Sequence, residues 1–95
     1  MELKDTISFM NSKDYRERFI AEYWQTRIRY EKLKDFCNRI EAAIINGTEE
    51  PKHDCPLYLL QEQQAAMGKY LHFLELRAVI EKIDFYKINE VSLHG

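Results

Sequence analysis

Two arginines and a set of aromatic residues are the groups in this sequence best suited to hold a small molecule. Tyr23, Trp24, Arg27 and Tyr30 stand close together in the first half of the chain, and Tyr70 and Arg77 stand in the second. A guanidinium grips phosphate bidentately and aromatic rings stack on bases, so a cleft rich in Arg and Tyr suits a nucleotide-sized anion. A bland reading competes with this one. Aromatic residues on a helix seam also pack cores, and Arg77 and Glu81 are spaced for an ordinary i,i+4 ion pair.

Other chemistry is poorly supported. His53, Asp54 and Cys55 are consecutive, but three neighbours do not turn easily onto one ion, and no second Cys or His pair stands at a zinc-ligand spacing. The expected metal content is none. Cys37 falls on a helix seam, where a thiol is a small hydrophobe, and no His obviously supports it; Cys55 at a helix start is the more activated of the two. His72 reads as a histidine at the edge of its helix. Gly47, Gly68 and Gly95 are isolated, so no glycine-rich phosphate loop exists. No catalytic residue and no cofactor is expected, and the chain does not read as an enzyme. Asn46-Gly47-Thr48 matches a glycosylation sequon, which has no meaning without export.

The elements that must position these residues are helices. Ninety-five residues make one domain, with only 3 Gly and 2 Pro and with 45% hydrophobic residues. The charge balance, 14 basic against 16 acidic residues, provides no basic field for DNA or an anionic membrane. The start, Met1-Glu2-Leu3-Lys4-Asp5, lacks an export signal, and no apolar run is long enough to span a membrane, so the expected location is the cytoplasm with both cysteines reduced.

Phe19, Tyr23, Thr26, Tyr30, Leu33, Cys37, Ile40 and Ile44 alternate spacings of four and three, which predicts a long helix over 13–45, with Ser12 as its cap and Asp14 in its first turn. Asn46-Gly47 ends it. Pro56 opens a second helix, 56–83, whose seam is Leu57, Leu60, Gln64, Met67, Leu71, Leu74 and Ala78. Leu3, Ile7 and Met10 mark a short helix over 3–10 with one sticky face, and the apolar 84–95 tail should dock as a short strand or turn. The short connection makes the long helices antiparallel, with Leu33 facing Met67, Tyr30 facing Leu71 and Tyr23 facing Ala78. Second stripes, Tyr15, Ile20, Trp24, Ile28 and Phe36 on one helix and Leu59, Ala66, Tyr70, Phe73 and Ile80 on the other, exceed what a hairpin can cover. The expected architecture is thus an all-α hairpin with a short N-terminal helix, completed into a bundle by homo-oligomerisation.

Arg18-Phe19-Ile20-Ala21-Glu22-Tyr23, Tyr30-Glu31-Lys32-Leu33-Lys34-Asp35-Phe36, Cys55-Pro56-Leu57, Leu59-Leu60-Gln61-Glu62-Gln63, Met67-Gly68-Lys69-Tyr70-Leu71 and Leu74-Glu75-Leu76-Arg77-Ala78 resemble a family of short helical proteins of tailed bacteriophages and prophages of gut Firmicutes, related to crAss-like phages. The resemblance covers roughly residues 15–83; the chain beyond Lys82 departs from it. It implies an accessory protein acting in the host bacterial cytoplasm against host defence. With that context the leading expectation is a homo-oligomer that binds and sequesters a small nucleotide-derived immune signal without cleaving it. Arg27 and Arg77 would hold phosphate, while Tyr23, Trp24, Tyr30 and Tyr70 would stack on base or ribose. The alternative is an interaction module that clamps and inhibits a host protein through its open apolar stripe.

Overall fold

A computed structural model describes residues 2–86. A 3-10 turn, Leu3–Thr6, runs into the one-turn helix α1, Ile7–Met10; the long helices are α2, Tyr15–Asn46, and α3, Leu57–Glu81. No strand occurs among the described residues. At 1.5 Å per residue α2 is about 48 Å long, nearly the whole 49 Å long dimension of the molecule.

Helix ends follow from local chemistry. Asp14, not Ser12, caps α2, its carboxylate accepting from the Arg16 amide at 2.9 Å. Ser12 instead braces that cap, accepting from the Asp14 amide and donating to Glu17. Gly47 takes the left-handed conformation at φ 70°, and the Thr48 amide reaches back to the Ala43 carbonyl. Pro56 stands at the cap position of α3 rather than inside its first turn. At the other end of α3, Lys82 adopts φ 57°, which disfavours a side chain. The Ile83 amide bonds the Ala78 carbonyl and Arg16 donates to the Lys82 carbonyl, and together they hold that turn.

α2 and α3 lie antiparallel, as the seams require: Gln61 near the loop meets Glu41, and Arg16 at the far end meets the Lys82 carbonyl. Tyr30 lies against Gly68 and Tyr23 bonds Glu75. Leu71 lines the same cleft as Tyr23 and Tyr30, and Ala78 a depression that Tyr23 shares. A helix carrying no side chain at Gly68 accepts the Tyr30 ring at its surface.

The core is Phe19, Ile20, Tyr23, Trp24, Leu71, Leu74, Ala78, Ile83 and Phe85. Of the tail expected over 84–95, Phe85 is buried, its ring stacked between Tyr23 (centroids 3.8 Å, 11°) and Phe19 (5.8 Å, 5°). The Trp24 indole donates to the Phe85 carbonyl at 3.0 Å. The expected strand or turn formed by the rest of the tail, residues 87–95, lies outside the described residues.

The N-terminal segment docks by a different face from the one expected. Ile7 and Met10 are exposed, whereas Thr6 is fully buried and Leu3 and Phe9 are partly so. The 3-10 opening has three residues per turn, so residues three apart share its inner face. Gln25 on α2, itself buried, donates to the Thr6 hydroxyl at 2.9 Å and to the Met10 sulfur.

The α2–α3 loop is pinned by His53. Its Nδ1 meets the Cys55 carbonyl at 2.7 Å and its Nε2 meets the Glu50 carboxylate at 2.9 Å. Both partners only accept, so the doubly protonated ring alone satisfies both. The bond to Glu50, then that to the Cys55 carbonyl, raise the His53 pKa.

Two predictions follow from these local devices. A folded-state pKa above the unfolded one stabilises the loop fully below about pH 6.5, and that contribution is lost as pH rises through the raised value. Amide protection over residues 48–55, after correction for the base-catalysed rise of intrinsic exchange, should therefore fall across that rise, and His53→Ala should remove that fall. Lys82→Gly should raise stability by about 0.5–1 kcal/mol in a urea melt, since glycine adopts φ 57° without a steric penalty.

Candidate functional site

Three of the six candidate ligand residues, Tyr23, Arg27 and Tyr30, open onto one cleft between α2 and α3. Glu31 completes the α2 side, and Gly68, Leu71 and Glu75 supply the α3 side, enclosing about 250 Å³. Their spacings of three and four along α2 place Tyr23, Arg27 and Tyr30 on one helix face. Gly68 opens the opposite wall: a Cβ built there would stand 3.1 Å from Tyr30 Cε1.

Electrostatics within the cleft are ordered by hydrogen bonds. The Tyr23 hydroxyl donates to Glu75 at 3.0 Å and accepts from Arg27 at 3.2 Å. Burial, followed by the bond to Glu75, raises the Tyr23 pKa, so the phenol stays protonated and remains a donor to the carboxylate. Arg27 also donates to the Tyr86 hydroxyl at 3.3 Å, and this bond is the main cause of its raised pKa. Its guanidinium lies 5.2 Å from the centre of the Trp24 ring and 6.0 Å from that of Tyr23. The side chain is held by a ring and two phenols, with no carboxylate bonded to it among the described residues.

The other three candidates stand elsewhere. Trp24 is buried, bonded to Phe85 and edge-on to Tyr86, where it supports Arg27. Tyr70 is half-exposed and donates to Glu22 at 3.2 Å. Arg77 bonds Tyr15 and Glu81 and covers the Phe19 ring at 4.7 Å. Arg27 and Arg77 thus share no hydrogen-bond partner, and only Arg27 reaches the cleft.

Glu31, Gly68 and Tyr86 were missed by sequence reasoning. Glu31 resembles a solvated surface charge, and Tyr86 belongs to a tail whose course no periodicity sets. Of these only Gly68 carried a signal, as the lone glycine inside a strong helical pattern.

A second depression, about 350 Å³, begins where the first ends. It shares Tyr23 and Glu75 and continues along Ala78, Val79, Ile83 and Phe85. Around His53, Asp54 and Cys55 the surface is a shallow hollow with Phe36, Lys52 and Leu60. Among the described residues no group of three acidic, His or Cys side chains is placed to hold a metal ion. The Cys37 thiol is buried and its pKa is raised, chiefly by desolvation, while Cys55 is exposed; the two are unpaired. No helix of the described residues is long and apolar enough to cross a membrane.

Compared with known protein families, residues 13–80 match the family model described as Sequestin, a span that includes α2, all but the last residue of α3 and every wall of the cleft. Comparison with curated proteins and with solved structures found no match.

The tight approach of Tyr30 to Gly68 makes a prediction. Gly68→Ala adds about 1 kcal/mol of helix propensity but forces the Tyr30 ring to move by a few tenths of an ångström. Stability by urea melt should change by less than about 1 kcal/mol. Gly68→Val, larger and β-branched, should destabilise the fold by about 1–3 kcal/mol through overpacking.

Proposed function

This chain belongs to the Sequestin family, and on that premise we propose that it binds a small nucleotide-derived signal in the Tyr23–Arg27–Tyr30 cleft and holds it without cleaving it. The family name favours sequestration over catalysis. The observation that carries the reading is Arg27: a guanidinium at the cleft, held on an aromatic face and by neutral phenols, with its charge left for an anion.

The rest of the lining narrows the ligand class. One cation stands with two carboxylates, Glu31 and Glu75, so a triphosphate would meet net repulsion. A ligand with one phosphate-type group at Arg27 and with hydroxyl or amino groups toward Glu75 and Glu31 satisfies all three. The half-buried Tyr30 ring offers a stacking surface. A whole nucleotide exceeds 250 Å³, and the adjoining depression past Tyr23 and Glu75 supplies the remaining room.

The Tyr23 phenol stays protonated as a donor to Glu75, which suits it to holding a ligand and not to attacking one. Binding by such a cleft removes a signal by mass action, which requires protein at least stoichiometric with the ligand. That is the economy of a phage accessory protein made in quantity in the host cytoplasm against a defence signal, the setting implied by the sequence resemblance.

The test is calorimetry with mononucleotides, cyclic dinucleotides and ADP-ribose. At least one should bind, and the ligand recovered afterwards should be chemically intact. Arg27→Ala should weaken binding by about tenfold to a hundredfold, the worth of a charge-assisted hydrogen bond. Arg77→Ala should leave it within about twofold, because Arg77 faces Tyr15 and Glu81. Silence across the panel, or equal losses from both arginines, would contradict the assignment.

A further inference from the structure

Arg27 stands one turn before Glu31 on α2, at the i,i+4 spacing that elsewhere in this molecule makes an ion pair. Arg77 and Glu81, in the same order on α3, meet at 3.3 Å. Arg27 and Glu31 both line the cleft but do not meet, and Glu31 forms no ion pair among the described residues. Arg18 and Glu22, ordered the same way on α2, are also apart, and there other groups claim each side chain: the Ser12 carbonyl holds Arg18, while Tyr70 and Thr26 hold Glu22. An arginine here leaves its glutamate only when something else holds it.

Both hydrogen bonds that the Arg27 guanidinium makes among the described residues leave from Nη1, one to the Tyr23 hydroxyl at 3.2 Å and one to the Tyr86 hydroxyl at 3.3 Å. Tyr23 and Trp24 stand on the turn of α2 before Arg27, and Glu31 stands on the turn after it. Tyr86 alone comes from outside the helix. We propose that Tyr86 is a positioning residue, whose hydroxyl holds Arg27 back from Glu31 and so keeps the guanidinium for an oxyanion in the cleft. The proposal rests on the reading of that cleft as an anion-binding site.

The donors left over, Nε–H and Nη2–H, form the side-on fork that grips two oxygens of one oxyanion, and neither has a partner among the described residues. An ion pair with Glu31 would occupy or turn that fork. A partly exposed i,i+4 pair is a weak competitor, so a single hydrogen bond to the charged group is enough to outweigh it. The Tyr86 hydroxyl is itself placed by contacts that do not involve it. The Trp24 indole holds the Phe85 carbonyl, the Asp84 carboxylate accepts from the Tyr86 amide at 2.9 Å, and the Tyr86 ring lies edge-on to Trp24 at 5.7 Å. These residues lie beyond the span 13–80 that matches the family model, apart from Trp24, so the match does not carry this part of the site.

The experiment is NMR of the isotope-labelled full chain, first without ligand. In the wild type the ring current of Trp24, the single tryptophan, should shift the Arg27 side-chain signals upfield. Tyr86→Phe should return them toward ordinary positions and leave the Trp24 indole proton in place, because that proton bonds the Phe85 carbonyl. Adding Glu31→Gln to Tyr86→Phe should restore the upfield shift, since no carboxylate remains to capture the guanidinium. Titration with inorganic phosphate, followed at Arg27, should be weaker in Tyr86→Phe by about twofold to fivefold, the effect of a competing i,i+4 pair, and should recover in the double variant. Arg27 signals unmoved by Tyr86→Phe overturn the proposal, as does a loss that Glu31→Gln fails to restore. So does a phosphate response equal or absent in the wild type and Tyr86→Phe. An indole proton that moves with Tyr86→Phe makes the residue a structural prop and overturns it too. If these shifts appear as expected and no nucleotide binds, the positioning role stands and only the ligand assigned to the cleft falls.

Discussion

Everything in this molecule depends on a shortage of walls. Two helices can bury only the stripes that face each other, and 95 residues leave little chain to cover the rest. The chain answers at one end by folding the segment after α3 back onto α2. Phe85 enters between Tyr23 and Phe19, and the Trp24 indole fixes its carbonyl. The offset Phe19–Phe85 pair adds about 0.5–1.5 kcal/mol beyond the area buried, and the indole bond satisfies the buried Trp24 N–H. Thr6 and Gln25 perform the same service for the N-terminal turn. Toward the loop no such third layer exists among the described residues, and there the hairpin relies on its seam, with Cys37 and Ile40 buried, and on the His53 clip.

That closure also shapes the cleft. Tyr23 faces Phe85 with its ring and Glu75 with its hydroxyl, so one residue joins the hydrophobic core to the polar lining. Tyr86, carried by the same returning segment, helps to hold Arg27, which rests on the Trp24 face. A cation held by neutral groups keeps most of its charge available, whereas a carboxylate partner would have consumed it. Gly68 sets the distance between the helices at the point where Tyr30 crosses. The cleft is thus a by-product of packing that places one free charge between two acidic neighbours.

The helices were legible because their signals are local and repeated. The four-three seams from Phe19 to Ile44 and from Leu57 to Ala78, Gly47 at φ 70° and the Arg77–Glu81 pair all depend on residues within a turn or two of one another. What depended on phase or on side-chain direction was not legible. Seam matching by loop length does not say which side-chain tips meet, and Arg77 turns to Tyr15 and Glu81 instead of joining Arg27. The inner face of the N-terminal turn followed a period of three, so the pattern drawn at 3.6 chose Ile7 instead of Thr6. Glu31 carries no apolar periodicity and reads as surface until a second helix faces it.

The account stands or falls on where a ligand sits. Heteronuclear NMR of the labelled protein, titrated with whichever nucleotide binds, reports this residue by residue. The account predicts amide shifts clustered at residues 23–31 of α2 and 68–75 of α3, with the Trp24 indole proton moving because Arg27 lies on its ring. Shifts concentrated instead on Tyr15, Glu22, Tyr70 and Arg77, or on the outer face of α3 at Leu59, Phe73 and Ile80, would contradict it.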